Sequence, residues 1–498
     1  MNLENLNVLV LSPGEYSHIL KKVLLAAHRD YAWNISILSQ IKNDTKFADI
    51  TSSPEQIVVI PDFQKTQDWE NDPAEVKAVE KIMHDSQKSS HIALNRILLS
   101  FERSLGRAYS KDQYYWPENK QAKRVLKNKD YAQLLLMRMF GFAYHTLREK
   151  KPNLLLAGPP GSLNLVFYVV SKHLKVPYVG CLLSNVNSDC HCWSTELECF
   201  NEKVNAEYER KLQTGENPKE STLNYLQDFR SKPEPQPLYK IKWSEKHYSL
   251  SLRKINKAIF DLCLYRLVPI VKRISVTNLK PFWSAVLDLY RCYFLSHTQQ
   301  KFFHTFNDNQ LAQMKYIYYC CSQAPEFVIN VRATKWYNQA NTIKMLSYNL
   351  PAGYQLLVRE HRNNCGRRST AYWRNIERLP NTYLVDPLDD QYKYLKNSDL
   401  IVTINGTTGF EGLLLKKRVM TLDRAFYSRL DDMVSRFDAN SDLGATLLEL
   451  LDSSCNHDDH KLALFIDAER DTTIEDSADP EVEINYIKGL LTNYYDKQ

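Results

Sequence analysis

Short apolar runs alternate with amphipathic helical stretches along most of this chain, and that alternation constrains the fold more than any other feature. The first series contains the runs "LNVLVLS", "NISILS", "PNLLLAGPPGS" and "VPYVGCLL". The second begins near Glu326 and contains "EFVINVRA", "YQLLVREH", "TYLVDP" and "DLIVTIN". Because strands separated by helices pair in parallel, the sequence predicts two doubly wound α/β domains. Ligands of such sheets bind beyond the carboxyl ends of the strands.

The region between the two series has a different character, with proline-bearing polar loops and a mostly helical pattern. We therefore predict a first Rossmann-like domain over residues 1–320 that carries a helical insertion over about 201–320. A second Rossmann-like domain is predicted over 321–475. The acidic-to-helical stretch at 476–498 is predicted to be a terminal helix.

Basic residues are concentrated in one segment of that region. Residues 239–304 contain twelve Lys/Arg and three Asp/Glu, whereas the whole chain has 64 and 58. Basic amphipathic helices can lie on anionic lipid surfaces. We favour the alternative, a helical insert packed on its own domain with its cations in solvent. Since no known motif accompanies the charge, nucleic acid is not expected as a partner.

The sequence shows neither a membrane span nor a signal-peptide pattern, and its cysteine spacing is not that of a zinc site. These features predict a protein of a reducing compartment. No apolar run reaches the roughly 18 residues that span a bilayer, and no basic region precedes the first apolar run. The stretch "CHCWSTELEC" is a poor match to the C-x(2–4)-C spacing of zinc sites, so we predict reduced thiols and no metal. A cytoplasmic protein is expected, and peripheral association with the cytoplasmic face of the inner membrane is the weaker hypothesis.

Polar residues follow three predicted strands of the second series. They are Arg332 after the first, Arg359, Glu360 and His361 after the second, and Asn405, Gly406, Thr407, Thr408, Gly409 and Glu411 after the third. Cations and helix N-terminal amides suit a phosphate, and glycines allow close approach of backbone N–H groups. A carboxylate in the first helical turn can accept hydrogen bonds from ribose hydroxyls. The structural alternative is a capping box, with Thr408 as N-cap and Glu411 at the third helical position.

Two stretches carry a resemblance to a known family. They are "LPAGYQLLVREHRNNCGRRSTAYWRNIERLPNTYLVDPLDD" and "NSDLIVTINGTTGFEGLLLKKRVMTLDRAFYS". Both resemble the capsule-polysaccharide biosynthesis glycosyltransferases, which include bacterial enzymes that transfer 3-deoxy-manno-octulosonic acid from its CMP donor. The resemblance implies a GT-B fold, in which an N-terminal acceptor domain and a C-terminal donor domain face each other across a cleft. It also implies that no metal or cofactor is needed besides the nucleotide-sugar donor.

The family motifs can be carried over by position. Glu360 and His361 match a Glu-His pair, with Arg359 where the family has lysine. The turn residues match a glycine-rich motif, namely Gly406, Thr407, Gly409 and Glu411. The resemblance implies that His361 and this turn hold the donor phosphate and that Glu411 binds ribose. Arg362, Gly412 and the stretch "INVRATKW" depart from the family pattern.

Candidates for the catalytic acid or base come from both domains. They are Glu15 after the first strand, Asp189 after "GCLLSN", and His361. For Glu15 a solvated loop carboxylate is the alternative interpretation.

The sequence therefore predicts a glycosyltransferase acting on a nucleotide sugar and on a surface polysaccharide or lipid-linked acceptor. The donor sugar is 3-deoxy-manno-octulosonic acid or another acidic sugar. Two alternatives stay open: a polyol-phosphate polymerase of the teichoic-acid type, and a binding or assembly protein with a degenerate GT-B site. A sugar-nucleotide 2-epimerase is disfavoured by the long extra helical segment.

Overall fold

The computed structural model describes most of the chain. The described residues are 3–11, 17–39, 49–50, 56–93, 96–97, 128–158, 162–187, 189–196, 202–233, 256, 290–291, 294–324, 328–454 and 456–496. Most of the basic segment and the loop that carries Glu15 lie outside these ranges, so the hypotheses about them stay predictions.

The first sheet has seven strands in the order β14-β6-β5-β4-β1-β2-β3. Strands β1 to β5 pair in parallel, whereas β6 is antiparallel to both β5 and β14. The strand bounds are Asn7–Leu11 (β1), Asn34–Ser39 (β2), Ile57–Val59 (β3), Leu154–Ala157 (β4), Tyr178–Leu183 (β5), Cys190–Ser194 (β6) and Ile474–Glu475 (β14). The parallel part has the 3-2-1-4-5 order of a doubly wound fold.

Helices cover the first sheet with the apolar faces that their spacing predicts. In the first of them, Ile19, Leu20, Val23 and Leu24 are all buried against the strands. The helices of the first half are Ser17–Tyr31 (α1), Pro73–Ser90 (α2), Lys129–Lys150 (α3), Ser162–Leu174 (α4), Glu202–Thr214 (α5) and Glu220–Ser231 (α6).

The second sheet also has seven strands, and all its pairs are parallel. Its order is β13-β12-β11-β8-β9-β10-β7. The bounds are Phe303–His304 (β7), Tyr316–Cys320 (β8), Gln355–Arg359 (β9), Thr382–Val385 (β10), Leu400–Thr403 (β11), Val419–Thr421 (β12) and Val434–Arg436 (β13). Counted from β8, this is the 3-2-1-4-5-6 order of dinucleotide-binding domains, which reverses between β8 and β11.

Helices alternate with the strands of the second sheet. The described ones are Asp308–Ala312 (α7), Gln339–Tyr348 (α8), Thr370–Glu377 (α9), Gln391–Asn397 (α10), Thr407–Leu414 (α11), Leu443–Asp452 (α12) and Asp459–Thr472 (α13). Two buried cores form, one on each face of the sheet. Since both faces are covered, the strands are continuous apolar runs rather than alternating ones.

The prediction of a strand at "EFVINVRA" is wrong. Residues Val328–Arg332 form a short π-helical turn in the loop after β8. The first strand of the βα series in the second sheet is instead β8, with the sequence "YIYYC" and four buried residues out of five. The predicted insertion over 201–320 therefore includes β7 and β8. Aromatic residues are frequent in strands, so the tyrosine-rich run was a usable signal.

The end of the chain returns to the first sheet. After α13, strand β14 pairs with β6, and the last helix, Pro480–Asp496 (α14), packs against α1. Ile484, Ile487 and Leu491 of α14 lie in the same core as β1. In the other direction, α5 packs on α13 and joins the core of the second sheet.

The architecture is the predicted GT-B-like one, with two Rossmann-like sheets and flanking helices. Among the described residues, the strands of one sheet do not pair with those of the other, so the two sheets are separate. Within the described ranges, no helix is both long and apolar enough to cross a membrane.

Candidate functional site

The order of the second sheet directs attention to the carboxyl ends of β8 and β11. These strands are neighbours, yet their connections leave in opposite directions, so a crevice opens between the following loops. The loop after β8 begins at Cys320, and α11 begins directly after β11. The side chain of Thr408 in α11 lies close enough to Cys320 to oppose the rise that burial causes in the pKa of that thiol. We call this place the switch point.

The turn at the start of α11 does not form the predicted capping box. The N-cap is Gly406, and no side chain caps the helix. The Gly406 N–H donates to Thr403 Oγ1 at 3.2 Å, and the helix begins two residues earlier than predicted. Glu411 is held by another helix and does not reach back to the turn. The first turn of α11 thus starts with Thr407 and Thr408 at its positive end.

The glycines of this stretch are required by close packing rather than by backbone conformation. A Cβ at Gly409 would lie 2.1 Å from the Tyr427 hydroxyl, and one at Gly412 would lie 2.5 Å from Ile401 Cδ1. The same Tyr427 hydroxyl donates to the Gly406 carbonyl at 2.8 Å. Close approach of α11 to its sheet therefore explains Gly412, a position where the family has alanine.

Glu411 is buried, with 3% exposure, and its carboxylate is held by α10. Gln391 Nε2 donates to Oε2 at 2.9 Å, and the Tyr392 hydroxyl donates to Oε1 at 3.2 Å. Burial and then the charge of Glu411 raise the pKa of Tyr392, which keeps that hydroxyl protonated as a donor. The carboxylate predicted to bind ribose thus lies at the switch point, with two neutral donors orienting it.

Arg359 and Glu360 make contacts inside the protein. The Arg359 guanidinium donates to Gln391 Oε1 at 2.6 Å and to the carbonyls of Pro387 and Asp389 at 2.8 and 2.9 Å. It is 2% exposed, so its contacts organise the loop between β10 and α10.

Glu360 is equally buried and binds its own loop. It accepts from Arg368 Nε at 2.5 Å, from Asn364 Nδ2 at 2.9 Å and from the His361 N–H at 2.9 Å. The pair with Arg368 is completely removed from solvent. Loss of either side chain would leave the other charge buried without a partner, which is strongly unfavourable. Glu360 is therefore placed to shape the loop that carries His361.

His361 follows β9 and is half-buried. Burial lowers its pKa to about 4; the charge of Glu360 opposes this effect, and Arg359 and Arg362 add to it. The imidazole is consequently neutral at pH 7. A neutral imidazole can donate one N–H to a phosphate oxygen or accept a proton, so the predicted roles in phosphate binding and in proton transfer are both chemically available.

Asn405 lies between β11 and the turn. Within the described part of the chain, no hydrogen-bond partner is found for its buried Oδ1. Buried polar atoms normally have a partner, so this position beside the switch point is open to a ligand or a water molecule. Asn405, Gly406, Thr407, Thr408, Gly409 and Glu411 are thus all brought to one place.

Arg332 is the last residue of the π-helical turn in the loop after β8. It lines a cavity of about 120 Å³ together with residues of both halves, among them Leu182, Ser184, Phe426 and Glu469. Glu469 of α13 accepts hydrogen bonds there from the Ser184 hydroxyl at 2.8 Å and from the Asn185 N–H at 2.7 Å. Arg332 thus lies in the loop after β8, and it lines this cavity with residues of the first sheet; its predicted role in donor binding stays a prediction.

The remaining catalytic candidates are Asp189 and Glu15. Asp189 is exposed in the turn between β5 and β6, and its carbonyl accepts from the Asp476 N–H at 2.8 Å. Glu15 lies outside the described residues. Among the described residues, no group of three or more His, Cys, Asp or Glu side chains could hold a metal ion. The expectation of a metal-independent enzyme stays a prediction.

Sequence reasoning missed Gln391, Tyr392 and Tyr427. Gln391 and Tyr392 open α10, which follows the neighbouring strand β10, so the rule that selected the other strand ends would also have selected them. Tyr427 comes from the loop after β12, and nothing in its local sequence indicates contact with a glycine 18 residues earlier.

Comparison with known proteins adds one result on the family. Residues 340–430 match the model of the family described as capsule polysaccharide biosynthesis protein. No curated protein matches the chain.

Solved structures give weak likenesses. A β-Kdo 2,4 transferase, KpsC of Thermosulfurimonas dismutans, is 13% identical, covers 63% of this chain and 78% of its own, and has a TM-score of 0.29. The β-Kdo 2,7 transferase of the same KpsC is 8% identical over 71% and 88%, with a TM-score of 0.30. A UDP-GlcNAc 2-epimerase of Neisseria meningitidis, bound to UDP-GlcNAc, is 11% identical over 93% and 97%, with a TM-score of 0.29.

TM-scores this low support no conclusion about the chain. The family match does, because residues 340–430 extend from α8 past β12 and include the whole switch-point turn. The part of the chain that forms the candidate site therefore matches the capsule polysaccharide biosynthesis proteins, which confirms the family resemblance predicted from its sequence.

Proposed function

We propose that this protein is a glycosyltransferase of capsule polysaccharide biosynthesis, which transfers a sugar from a nucleotide-activated donor. One observation carries the proposal. The segment that matches the family, 340–430, contains His361 after β9, and Asn405 and the N-terminus of α11 after β11, on the two strands that flank β8 at the switch point. That place is where doubly wound sheets bind nucleotides.

The residues at the switch point are assigned roles by their chemistry. The N-terminal amides of α11 and the neutral His361 would bind the donor phosphate. Glu411 would accept hydrogen bonds from the ribose hydroxyls. Arg359 and Glu360, which we had expected to touch the donor, would instead hold the loops around it.

The finer identity of the substrates rests on the resemblance alone. It supports 3-deoxy-manno-octulosonic acid or another acidic sugar, carried on a CMP donor, and no further cofactor. The acceptor would be a surface polysaccharide or a lipid-linked glycan at the cytoplasmic face of the membrane. Asp189 and Glu15 are the proposed acid or base candidates from the acceptor side.

A screen tests the proposal directly. The full chain is mixed with nucleoside mono- and diphosphates and with nucleotide sugars, and its melting temperature is measured. Ligands that raise it are then incubated with the protein and candidate acceptors, and the products are identified by mass spectrometry. We expect stabilisation by a cytidine or uridine nucleotide and a product heavier by one sugar. A product heavier by a polyol phosphate would instead identify a polymerase.

A binding protein with a degenerate site is the second candidate, and the contacts of Arg359 and Glu360 favour it. Arg359 and Glu360, which stand at positions of the family's charged motif, make buried hydrogen bonds to Gln391 and Arg368 within the protein. Nucleotide-induced stabilisation without release of free nucleotide or transfer of sugar, for every donor that binds, would support this candidate and overturn the first.

A further inference from the structure

Gln391, the first residue of α10, lies between two charged groups of the candidate site. Its Oε1 accepts from Arg359 Nη1 at 2.6 Å, and its Nε2 donates to Glu411 Oε2 at 2.9 Å. A guanidinium only donates and a carboxylate only accepts, so these two partners fix which way the amide points. No other orientation of the side chain satisfies both.

Arg359 connects Gln391 to the loop between β10 and α10. Its second terminal nitrogen donates to the carbonyls of Pro387 and Asp389. Because the arginine is buried, its position is set by that loop rather than by solvent. A chain of hydrogen bonds thus runs from the loop through Arg359 and Gln391 to Glu411.

The consequence concerns the direction of the Glu411 carboxylate. Its side chain is 3% exposed, and its two oxygens receive the Gln391 amide and the Tyr392 hydroxyl, both from the first turn of α10. A carboxylate that binds a pair of ligand hydroxyls must be held in one orientation, since a small misplacement loses the hydrogen bonds. The structure provides that orientation through α10.

We propose that Gln391 is a positioning residue that orients Glu411 toward the ribose of the bound nucleotide, so that preference for ribonucleotides over 2′-deoxyribonucleotides depends on it. This inference rests on the proposed function, which places a nucleotide at the switch point. It adds the residue that links ribose recognition to the loop between β10 and α10.

The Gln391→Glu variant tests the inference with little risk to the fold. A glutamate keeps an acceptor for Arg359, and an acidic residue is favourable in the first turn of a helix. It cannot donate to Glu411, however, and it sets a like charge beside that carboxylate. Gln310→Glu is the matched control, because Gln310 is exposed in the first turn of α7 and serves a capping box that glutamate also forms.

Dissociation constants are measured for CMP and 2′-deoxy-CMP, and for UDP and 2′-deoxy-UDP, by calorimetry. We expect wild type and Gln310→Glu to prefer the ribonucleotide, and Gln391→Glu to lose about tenfold of that preference, equal to about 1.4 kcal/mol. Affinity for the deoxynucleotide and the melting temperature of the free protein should stay near wild type. A merely structural role would weaken both nucleotides alike.

The outcomes separate the two proposals. If wild type prefers the ribonucleotide and Gln391→Glu keeps that preference, the inference is overturned while the proposed function stands. If wild type binds both nucleotides equally, the ribose role of Glu411 is wrong, and with it the inference. If wild type binds no nucleotide, both proposals fall. Should Gln391→Glu not fold, Tyr392→Phe removes only the second donor to Glu411 and must lower the same preference.

Discussion

Two polar clusters of this protein contain a histidine and buried glutamates, but they differ in what surrounds the histidine. In the first cluster, His191 of β6 is completely buried between two carboxylates, with Nδ1 2.8 Å from Asp476 and Nε2 3.0 Å from Glu483. In the second, at the switch point, His361 is half-buried beside Arg359 and Arg362.

The two environments shift the pKa values of the two histidines in opposite directions. Burial by itself would lower the pKa of His191, but hydrogen bonds and charges from Glu483 and Asp476 outweigh it, and the pKa is raised. At His361 burial dominates, and the pKa falls to about 4. One histidine therefore stays protonated to a higher pH than an isolated imidazole, and the other is a neutral group beside a crevice.

The difference indicates separate purposes. The His191 cluster joins β6 to residues about 290 positions later, and Trp193 Nε1 also donates to Glu483 at 2.6 Å. It anchors the returning end of the chain to the first sheet. The switch-point cluster lies at strand ends where doubly wound folds bind ligands. We therefore expect mutations in the first to change stability and mutations in the second to change binding.

The largest effect is expected for Glu483→Ala. The substitution leaves a buried His191 and a buried Trp193 N–H without their acceptor, and breaking a buried pair costs about 3–5 kcal/mol. Urea unfolding followed by tryptophan fluorescence measures the loss. Glu481→Ala on the exposed face of the same helix is the control and should change the unfolding free energy by less than about 1 kcal/mol. Equal behaviour of the two variants would contradict an anchoring role.

The pH dependence of stability should separate the two histidines next. The lowered pKa of His361 means that the unfolded chain binds this proton first, so stability falls as the pH drops from about 6.5 to about 4. The slope from one group is at most about 1.4 kcal/mol per pH unit. The raised pKa of His191 has the opposite sign: its contribution is complete below about pH 6.5 and is lost as the pH rises through the folded-state value.

Variants of each histidine make this test specific. His361→Gln should remove the part of the stability loss that this histidine causes as the pH falls from about 6.5 to about 4. His191→Gln should remove the loss of unfolding free energy that its deprotonation causes above about pH 6.5. Unfolding midpoints measured in urea from pH 4 to pH 9 give both profiles. Parallel profiles for the two variants would show that the two environments do not differ as described.

The smallest effect is expected for Glu411→Gln, which acts on binding. The glutamine keeps one acceptor oxygen, but its NH2 group replaces the other oxygen and cannot accept from Gln391 or Tyr392. The negative charge of the side chain is also lost. Nucleotide affinity should fall about tenfold, or about 1.4 kcal/mol.

His361→Ala should weaken the binding of a nucleoside diphosphate more than that of the nucleoside, because His361 is proposed to contact the phosphates. Calorimetry on both ligands measures this, and loss of stability with unchanged affinity would assign the stretch a structural role only.

Much of the fold could be predicted from the sequence because its signals are local. The apolar face of α1 and the runs of β2, β9 and β11 follow directly from periodicity. The strands that were missed have two causes. β6 and β14 are short or lie next to atypical sequence, so their pairing partners identify them as strands. The tyrosine-rich run of β8 was a local signal that the prediction did not use.

The candidate site was predictable to the level of strand ends and not beyond. Position after a strand grouped His361 with the residues from Asn405 to Glu411, and these residues follow β9 and β11, the two strands that flank β8. It could not distinguish Arg359 and Glu360, which turn inward to Gln391 and Arg368, from residues that face the crevice. The choice depends on partners that are distant in the sequence.

By itself the sequence determined the alternation of strands and helices, the parallel pairing of β1 to β5 and of the second sheet, and the family resemblance of residues 340–430, since each depends on neighbouring residues in the chain. Only the tertiary structure decided the start of the second sheet, the return of α14 to the first one, and the need for glycine at Gly409 and Gly412. The reason is physical: close packing and buried hydrogen bonds act between groups brought together by folding, and their partners leave no trace in the local pattern.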